Sequence, residues 1–297
     1  MRLTKHLPLV LLTTALALTL IFSFLYQPPE YDPNDVSGSG MPPLPGWASE
    51  PLPDFRKFKL VDEKKEAFFE YLYPRVRVAN SRVLIARNFL DQLADREQLS
   101  AAEEHWIKQQ AKRLRLDPQS QPAVLIEQLQ SRLDIVPPSL VLAQAANESA
   151  WGASRFARKG NNLFGQWCFS AGCGLVPSAR AKGAGHEVQV FRTPYHSVRS
   201  YVQNLNRHRS YKSLRQLRLN KRSAGELPDG ITLVRGLGAY SERGEDYIFE
   251  ISSMIRINDL QRYDERFRKQ VQSHPLHRLA TAKEPELDPT ADQATAE

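Results

Sequence analysis

The stretch Val136–Phe169, VPPSLVLAQAANESAWGASRFARKGNNLFGQWCF, decides the fold. Val136-Pro137-Pro138-Ser139 is a helix-start signal, because proline is preorganised for the first helical turn. Leu140, Val141, Ala143, Ala145 and Ala146 then make a small, apolar helix suited to burial almost all round. From Val136 to Ser154 the only charged side chain is Glu148, which arrives just before Trp151-Gly152 stops the helix. A helix C-terminus disfavours an anion, and an apolar wall with an indole nearby disfavours it further. Both effects favour the protonated acid, the form a general acid delivers near neutral pH. The bland alternative is a packing glutamate paired with Arg155 or Arg158.

The surroundings select the chemical reading. Ala145-Ala146-Asn147-Glu148-Ser149-Ala150-Trp151-Gly152, followed by Asn161-Asn162-Leu163-Phe164-Gly165, resembles the glucosaminidase family of peptidoglycan hydrolases. That family carries a catalytic Glu in an A-x-E-S-x-W-G motif and an N-L-F-G turn shortly after it. With Gln166-Trp167-Cys168-Phe169 added, the segment is similar to the Bax-type branch of the family. The resemblance covers roughly residues 130–260 and is strongest over 139–169. It implies an α+β, mainly α, lysozyme-like helical domain with a small β-hairpin lobe flanking the groove. It also implies Glu148 as the acid, with Trp151, Asn162, Phe164 and Gly165 shaping the substrate-binding floor.

Upstream, Arg2 and Lys5 precede an uncharged run from Leu7 to Tyr26. Twenty residues in a helix span about 30 Å, the thickness of a bilayer core. A cleaved signal peptide has a shorter apolar region ending at a small-residue site, so residues 1–27 are expected to be an uncleaved anchor. The first charges after the run are acidic, which leaves the N-terminus cytoplasmic and the domain outside the inner membrane, in the periplasm of a Gram-negative cell. Residues 28–58 are crowded with Pro, Gly, Ser and Asp and are expected to be a tether. Helical periodicity takes over in a domain over 59–267, with a break expected at Pro74 and a capping box at Ser100–Glu103. After Phe267 the polar, Pro- and Ala-rich composition predicts a disordered tail over 268–297.

Downstream of the central motif, Cys168 and Cys173 are the only cysteines. In an oxidising compartment they form a disulfide candidate; a zinc pair lacks the other ligands, and no metal or cofactor is expected. Gly172–Val176 and Glu187–Phe191 read as the two strands of a hairpin. From Val188 to Gly225 there are nine Arg or Lys and no Asp or Glu, and the net charge is +7. A solvated basic face accounts for part of this, and anionic partners such as peptidoglycan or a membrane surface for the rest. Nucleic acid fits the charge alone but not the expected location.

Tyr240 resembles the Tyr that the family places beside its catalytic Glu, and Tyr247 the second Tyr, which opens the following helix. A glycosidase also needs a means of stabilising or capturing the oxocarbenium-like centre. Glu187, on the expected hairpin, is the best-placed second carboxylate; otherwise the substrate's own N-acetyl group serves. The expected function is therefore an endo-β-N-acetylglucosaminidase acting on peptidoglycan glycan strands. Two alternatives stand beside it: a non-catalytic wall-binding scaffold, and a cell-wall amidase. Nothing in the sequence bears on oligomeric state.

Overall fold

In a computed structural model, residues 35–36, 38–178, 180 and 183–287 are described. Their helices are α1 (Val61–Ala94), α2 (Ala101–Arg113), α3 (Pro122–Arg132), α4 (Pro138–Ser149), α5 (Arg155–Gly160), α6 (Pro194–Arg207), α7 (Lys212–Ser223), α8 (Gly230–Leu233), α9 (Glu245–Ile257), α10 (Gln261–Ser273) and α11 (Leu276–Leu279). Between α5 and α6 lie β1 (Trp167–Cys168), β2 (Gly174–Leu175) and β3 (Glu187–Gln189). The architecture is mainly helical with one small antiparallel sheet, the lysozyme-like α+β arrangement that the resemblance implied.

Helix α4 is the axis, and every residue from Pro138 to Ala146 is buried. Helices α1, α8, α9 and α10 pack around it. A helix without a polar stripe is stable only when neighbours cover all its faces. Its start is held from afar: Asp264 of α10 accepts hydrogen bonds from the Ser139 backbone N–H at 2.8 Å and the Ser139 hydroxyl at 2.6 Å. A second apolar cluster joins the later half of α1 to α2 and α3 through Leu90, Leu93, Trp106, Ile107, Leu125 and Leu129. The capping box at Ser100 and Glu103 is present as expected.

Helix α1 does not stop at Pro74 but runs through it for 34 residues. Proline removes one N–H from the ladder, and the Arg75 guanidinium bonds the nearby Tyr71 carbonyl at 2.7 Å. Phe68, Leu72, Val76 and Ala79, on both sides of the proline, enter the same core. Packing therefore outweighs the local break.

Strand β3 is central in the order β1-β3-β2, with Trp167 opposite Val188, Cys168 opposite Glu187, and Leu175 opposite Val188. The expected hairpin is thus a three-stranded sheet, because Trp167-Cys168 adds a strand to its edge. Cys168 and Cys173 are joined in a disulfide.

Two expectations about the ends are corrected. Residues 44–58 do not form a free tether: Leu44, Ala48 and Phe55 are buried in the main core. A proline-rich segment has few N–H groups to satisfy, so it can lie as an extended strap if its carbonyls find donors. Tyr71 supplies one donor to the carbonyls of Glu50 and Pro51, and Arg75 another to that of Trp47. Nor is the chain disordered from 268. Helix α10 continues to Ser273, α11 follows, and Leu279, Ala282 and Leu287 are buried. The fully buried Arg77 draws this segment in by donating to the carbonyls of Leu279 and Ala282. Composition missed this because a few apolar residues and one buried guanidinium suffice to dock a polar segment.

The basic run is also not simply a solvated face. Arg215 and Arg218 are buried. Arg218 donates to the carbonyls of Ser131, Arg132, Asp134 and Ile135, and to Asn206. Among the described residues no helix is long and apolar enough to cross a membrane. The expected anchor over 1–27 and the first part of the linker lie outside the described residues.

Candidate active site

The last turn of α4 carries Glu148, and the backbone immediately after it is unusual. Ala150, Trp151 and Gly152 all have positive φ, at 52°, 53° and 73°. Left-handed conformations at non-glycine residues are costly and persist only where the surroundings impose them. Ser149 imposes this one: its hydroxyl donates to the Ala145 carbonyl at 2.6 Å and accepts from the Gly152 N–H at 2.8 Å. Glycine at 152 is required twice over, since a Cβ there would also stand 2.8 Å from the Phe55 ring. The Ser, Trp and Gly of the motif thus end the helix abruptly and leave Glu148 half-buried at its tip.

A buried hydrogen-bond chain leads to that carboxyl. The Tyr201 hydroxyl, from α6, donates to Gln144 Oε1, which turns the Gln144 amide N–H toward Tyr247 of α9. Gln144 Nε2 donates to the Tyr247 hydroxyl at 2.8 Å, and Tyr247 donates to Glu148 Oε1 at 2.8 Å. Each phenol has one proton, so the chain has a single direction, ending on the carboxyl. Glu148 Oε1 is the acceptor in that bond, and Oε2 is the second oxygen of the carboxyl. That second oxygen faces Gly165, where a Cβ would lie 3.9 Å away. Gly165 has φ of 65°, a conformation that glycine adopts without strain.

Burial, with help from neighbouring Glu148, pushes the Tyr247 phenol far above its ordinary range. Burial does the same to Tyr201 and Tyr240. All three remain neutral hydroxyls at any physiological pH, so they serve as donors and not as bases or nucleophiles.

The residues expected at the site divide accordingly. Glu148, Tyr247 and Gly165 come together. Tyr240 spends its hydroxyl elsewhere: its ring stacks on Tyr247 at 5.3 Å between centroids, and its hydroxyl donates to the Phe164 carbonyl at 3.2 Å. Tyr247 is thus the tyrosine that hydrogen-bonds Glu148, because the helical start at Glu245 aims this first-turn residue inward. Phe164 is buried and stacks on Tyr201 at 4.1 Å.

Asn162 is buried, and its amide is fully committed. It donates to the carbonyls of Gln166 and Gln189 at 2.9 and 2.8 Å and accepts from the N–H groups of Phe164 and Gln166. It builds the turn and has no polar atom left for a substrate. The Trp151 ring lies beside α1, with the ammonium groups of Lys64 and Lys65 each 6.0 Å from its centroid.

Glu187 is committed as well. Its carboxylate accepts from the Gly172 N–H at 3.1 Å and the Gly174 N–H at 2.8 Å, and these bonds hold it below the usual carboxylate range. Such a group is a brace for the disulfide loop and a poor proton acceptor. Among the described residues one cluster of His, Cys, Asp and Glu is close enough for a metal: Cys168, Cys173 and Glu187. Its two sulfurs are bonded to each other, which also removes a thiol nucleophile. A separate cavity lined by Asp35, Arg82, Gln110, Arg113, Tyr195 and Arg199 shares no residue with the Glu148 network.

Sequence reasoning missed Gln144 and Tyr201 as parts of the site. A signal for Gln144 was present: it is the one long polar side chain in α4 before Glu148, four residues earlier and so on the same helix face. Tyr201 read only as one apolar position of α6.

The site is thus a half-buried carboxyl held by a neutral hydroxyl donor, beside a glycine turn on a lysozyme-like frame. Comparison with known proteins gives its class. The family model Glucosaminidase, described as mannosyl-glycoprotein endo-beta-N-acetylglucosaminidase, matches residues 123–260. Protein bax of Escherichia coli (strain K12) is 33% identical over 211 residues, covering 71% of this chain and 75% of the relative. The chain belongs to the glucosaminidase family, in its Bax-like branch, and its function is of the peptidoglycan-hydrolase kind. No solved structure matches it.

Proposed function

We propose that the chain is an endo-β-N-acetylglucosaminidase that cuts β-1,4 bonds of peptidoglycan glycan strands with Glu148 as general acid. The main support is the polarity of the hydrogen-bond chain: Tyr247 occupies Oε1 and leaves Oε2 to carry the proton beside Gly165. Glu148 Oε2 gives its proton to the glycosidic oxygen as the bond from C1 to that oxygen breaks. With Glu187 engaged by two backbone N–H groups, the 2-acetamido oxygen of the substrate bonds C1 and captures the developing cation. Water then attacks C1, reopening that ring, while Glu148 takes the water's proton back. Digestion of purified sacculi should release fragments with N-acetylglucosamine at the reducing end, and NMR at early times should show a retained β-anomer. An inverted first product would remove the acetamide from the scheme.

Tyr247 and Gln144 are positioning residues in this scheme. Tyr247→Phe deletes a hydrogen bond to the carboxylate that develops as Glu148 gives up its proton, worth about 1.5–3 kcal/mol, which corresponds to roughly 10–100-fold in rate. The expected result is a fall in kcat of that size with KM nearly unchanged and a native thermal unfolding curve. An unaltered kcat would detach Tyr247 from the acid's function.

We also propose that residues 7–26 anchor the protein in the inner membrane, with the catalytic domain in the periplasm. The uncharged length and the basic residues before it support this, as does a disulfide, which persists in oxidising compartments. Alkaline phosphatase fused after residue 60 should be active; a silent fusion would refute this topology.

A further inference from the structure

The lip beyond Gly165 exposes aromatic surface that the chemistry at Glu148 does not use. Trp167 is 56% exposed and Phe169 77% exposed. Trp167 is nonetheless ordered: its ring lies flat on His186, with centroids 4.0 Å apart and planes 16° from parallel. Trp167 pairs across the sheet with Val188, and His186 lies two residues before Val188, just ahead of β3. The segment is braced from below by the Cys168–Cys173 disulfide and by Glu187 on the Gly172 and Gly174 N–H groups. The indole thus has one face covered and the other presented to solvent on a rigid support. Rigid presentation lowers the entropy lost on binding.

The position selects the occupant. Trp167 is two residues from Gly165, where a Cβ would lie 3.9 Å from Glu148 Oε2, and two extended residues reach about 7 Å. A polymer lying across Glu148 therefore continues over the lip. One face of a pyranose is a flat array of C–H groups, which complements the electron-rich face of an indole, while its hydroxyls stay at the wet edge. We infer that the Trp167–His186 stack is an outer sugar subsite, receiving the ring face of a β-1,4-linked N-acetylhexosamine strand that runs to Glu148. This rests on the proposed glycan-strand activity.

The test uses the full chain carrying Glu148→Gln, titrated by calorimetry with the hexamer and the dimer of β-1,4-linked N-acetylglucosamine. Adding Trp167→Ala should weaken hexamer binding about 10-fold or more, the loss expected of a large aromatic contact, and leave the dimer within about two-fold. Trp167→Phe should restore most of the hexamer affinity. Equal hexamer affinity in Trp167→Ala and its parent overturns the subsite, and so does Trp167-dependent binding to anionic lipid vesicles without hexamer binding. Sacculus cutting by Glu148→Gln would instead overturn the acid assignment, while a Trp167→Ala binding defect would still support the subsite.

Discussion

Replacing Glu148 by Gln is expected to slow the release of fragments from sacculi by at least about 10²–10⁴-fold, the usual contribution of a positioned general acid. That range corresponds to about 3–5 kcal/mol of transition-state stabilisation. The substitution is close to isosteric. A glutamine oxygen can still accept from the Tyr247 hydroxyl, as Oε1 does at 2.8 Å, so the Gln144–Tyr247 chain keeps its polarity. What disappears is the proton that the proposed mechanism takes from Glu148. The loss should fall on kcat, with glycan binding retained and the unfolding transition unchanged. Parent and variant degrading sacculi at the same rate would remove Glu148 from the chemistry altogether.

The largest expected effect on stability lies away from the site, at Asp134. This buried carboxylate takes a two-pronged contact from Arg222, at 2.9 and 2.6 Å, and lies 3.6 Å from Arg87 and 3.8 Å from Arg218. Burial alone would push the carboxyl up. Arg218, Arg222 and Arg87 overcome that and hold it below its ordinary value, while burial pulls Arg218 down to about 10. Asp134→Ala leaves these cations without their shared counter-charge, and breaking a buried pair from one side costs about 3–5 kcal/mol. At about 2–4 °C per kcal/mol for a domain of this size, the midpoint should fall by roughly 10 °C. Urea unfolding measures the same quantity, and a change below about 1 kcal/mol would contradict it.

The pH dependence of that contribution follows from the same contacts. Asp134 binds its proton less tightly in the native state than in the unfolded chain. Its stabilisation is therefore complete above the ordinary aspartate value near 3.8 and is lost as pH falls through the lower native value. Asp134→Ala should lack this part of the acid unfolding. Asp134 sits four residues before α4 begins, and the carbonyls of Ser131, Arg132 and Ile135 beside it accept from Arg218.

Several elements were legible in the residues themselves. Val136-Pro137-Pro138-Ser139 marks a helix start, and Ser149, Trp151 and Gly152 encode an abrupt stop. Ser100 and Glu103 cap one another, and Cys168 and Cys173 are near enough in the chain to bridge. Each of these depends on backbone geometry within a few residues, where sequence spacing and spatial distance are nearly the same thing. The charge run from Val188 to Gly225 was less transparent. Its composition is that of a surface, yet Arg218 is buried on carbonyls far away in sequence, such as that of Asp134, and Arg215 on the carbonyls of Leu205 and His208 at the end of α6.

The sequence by itself therefore determined the central helix, the carboxyl at its tip, the glycine turn beside it and the family to which these belong. Only the tertiary structure decided that Tyr247, 99 residues from Glu148, holds the carboxyl while Tyr240 stands behind it. It alone assigned Gln144 the direction of the hydrogen-bond chain and turned Glu187 from a candidate base into a loop brace. The physical reason is that a hydrogen bond is decided by ångströms and angles at its two ends. When those ends belong to helices joined by long connections, their meeting is set by how the whole core packs.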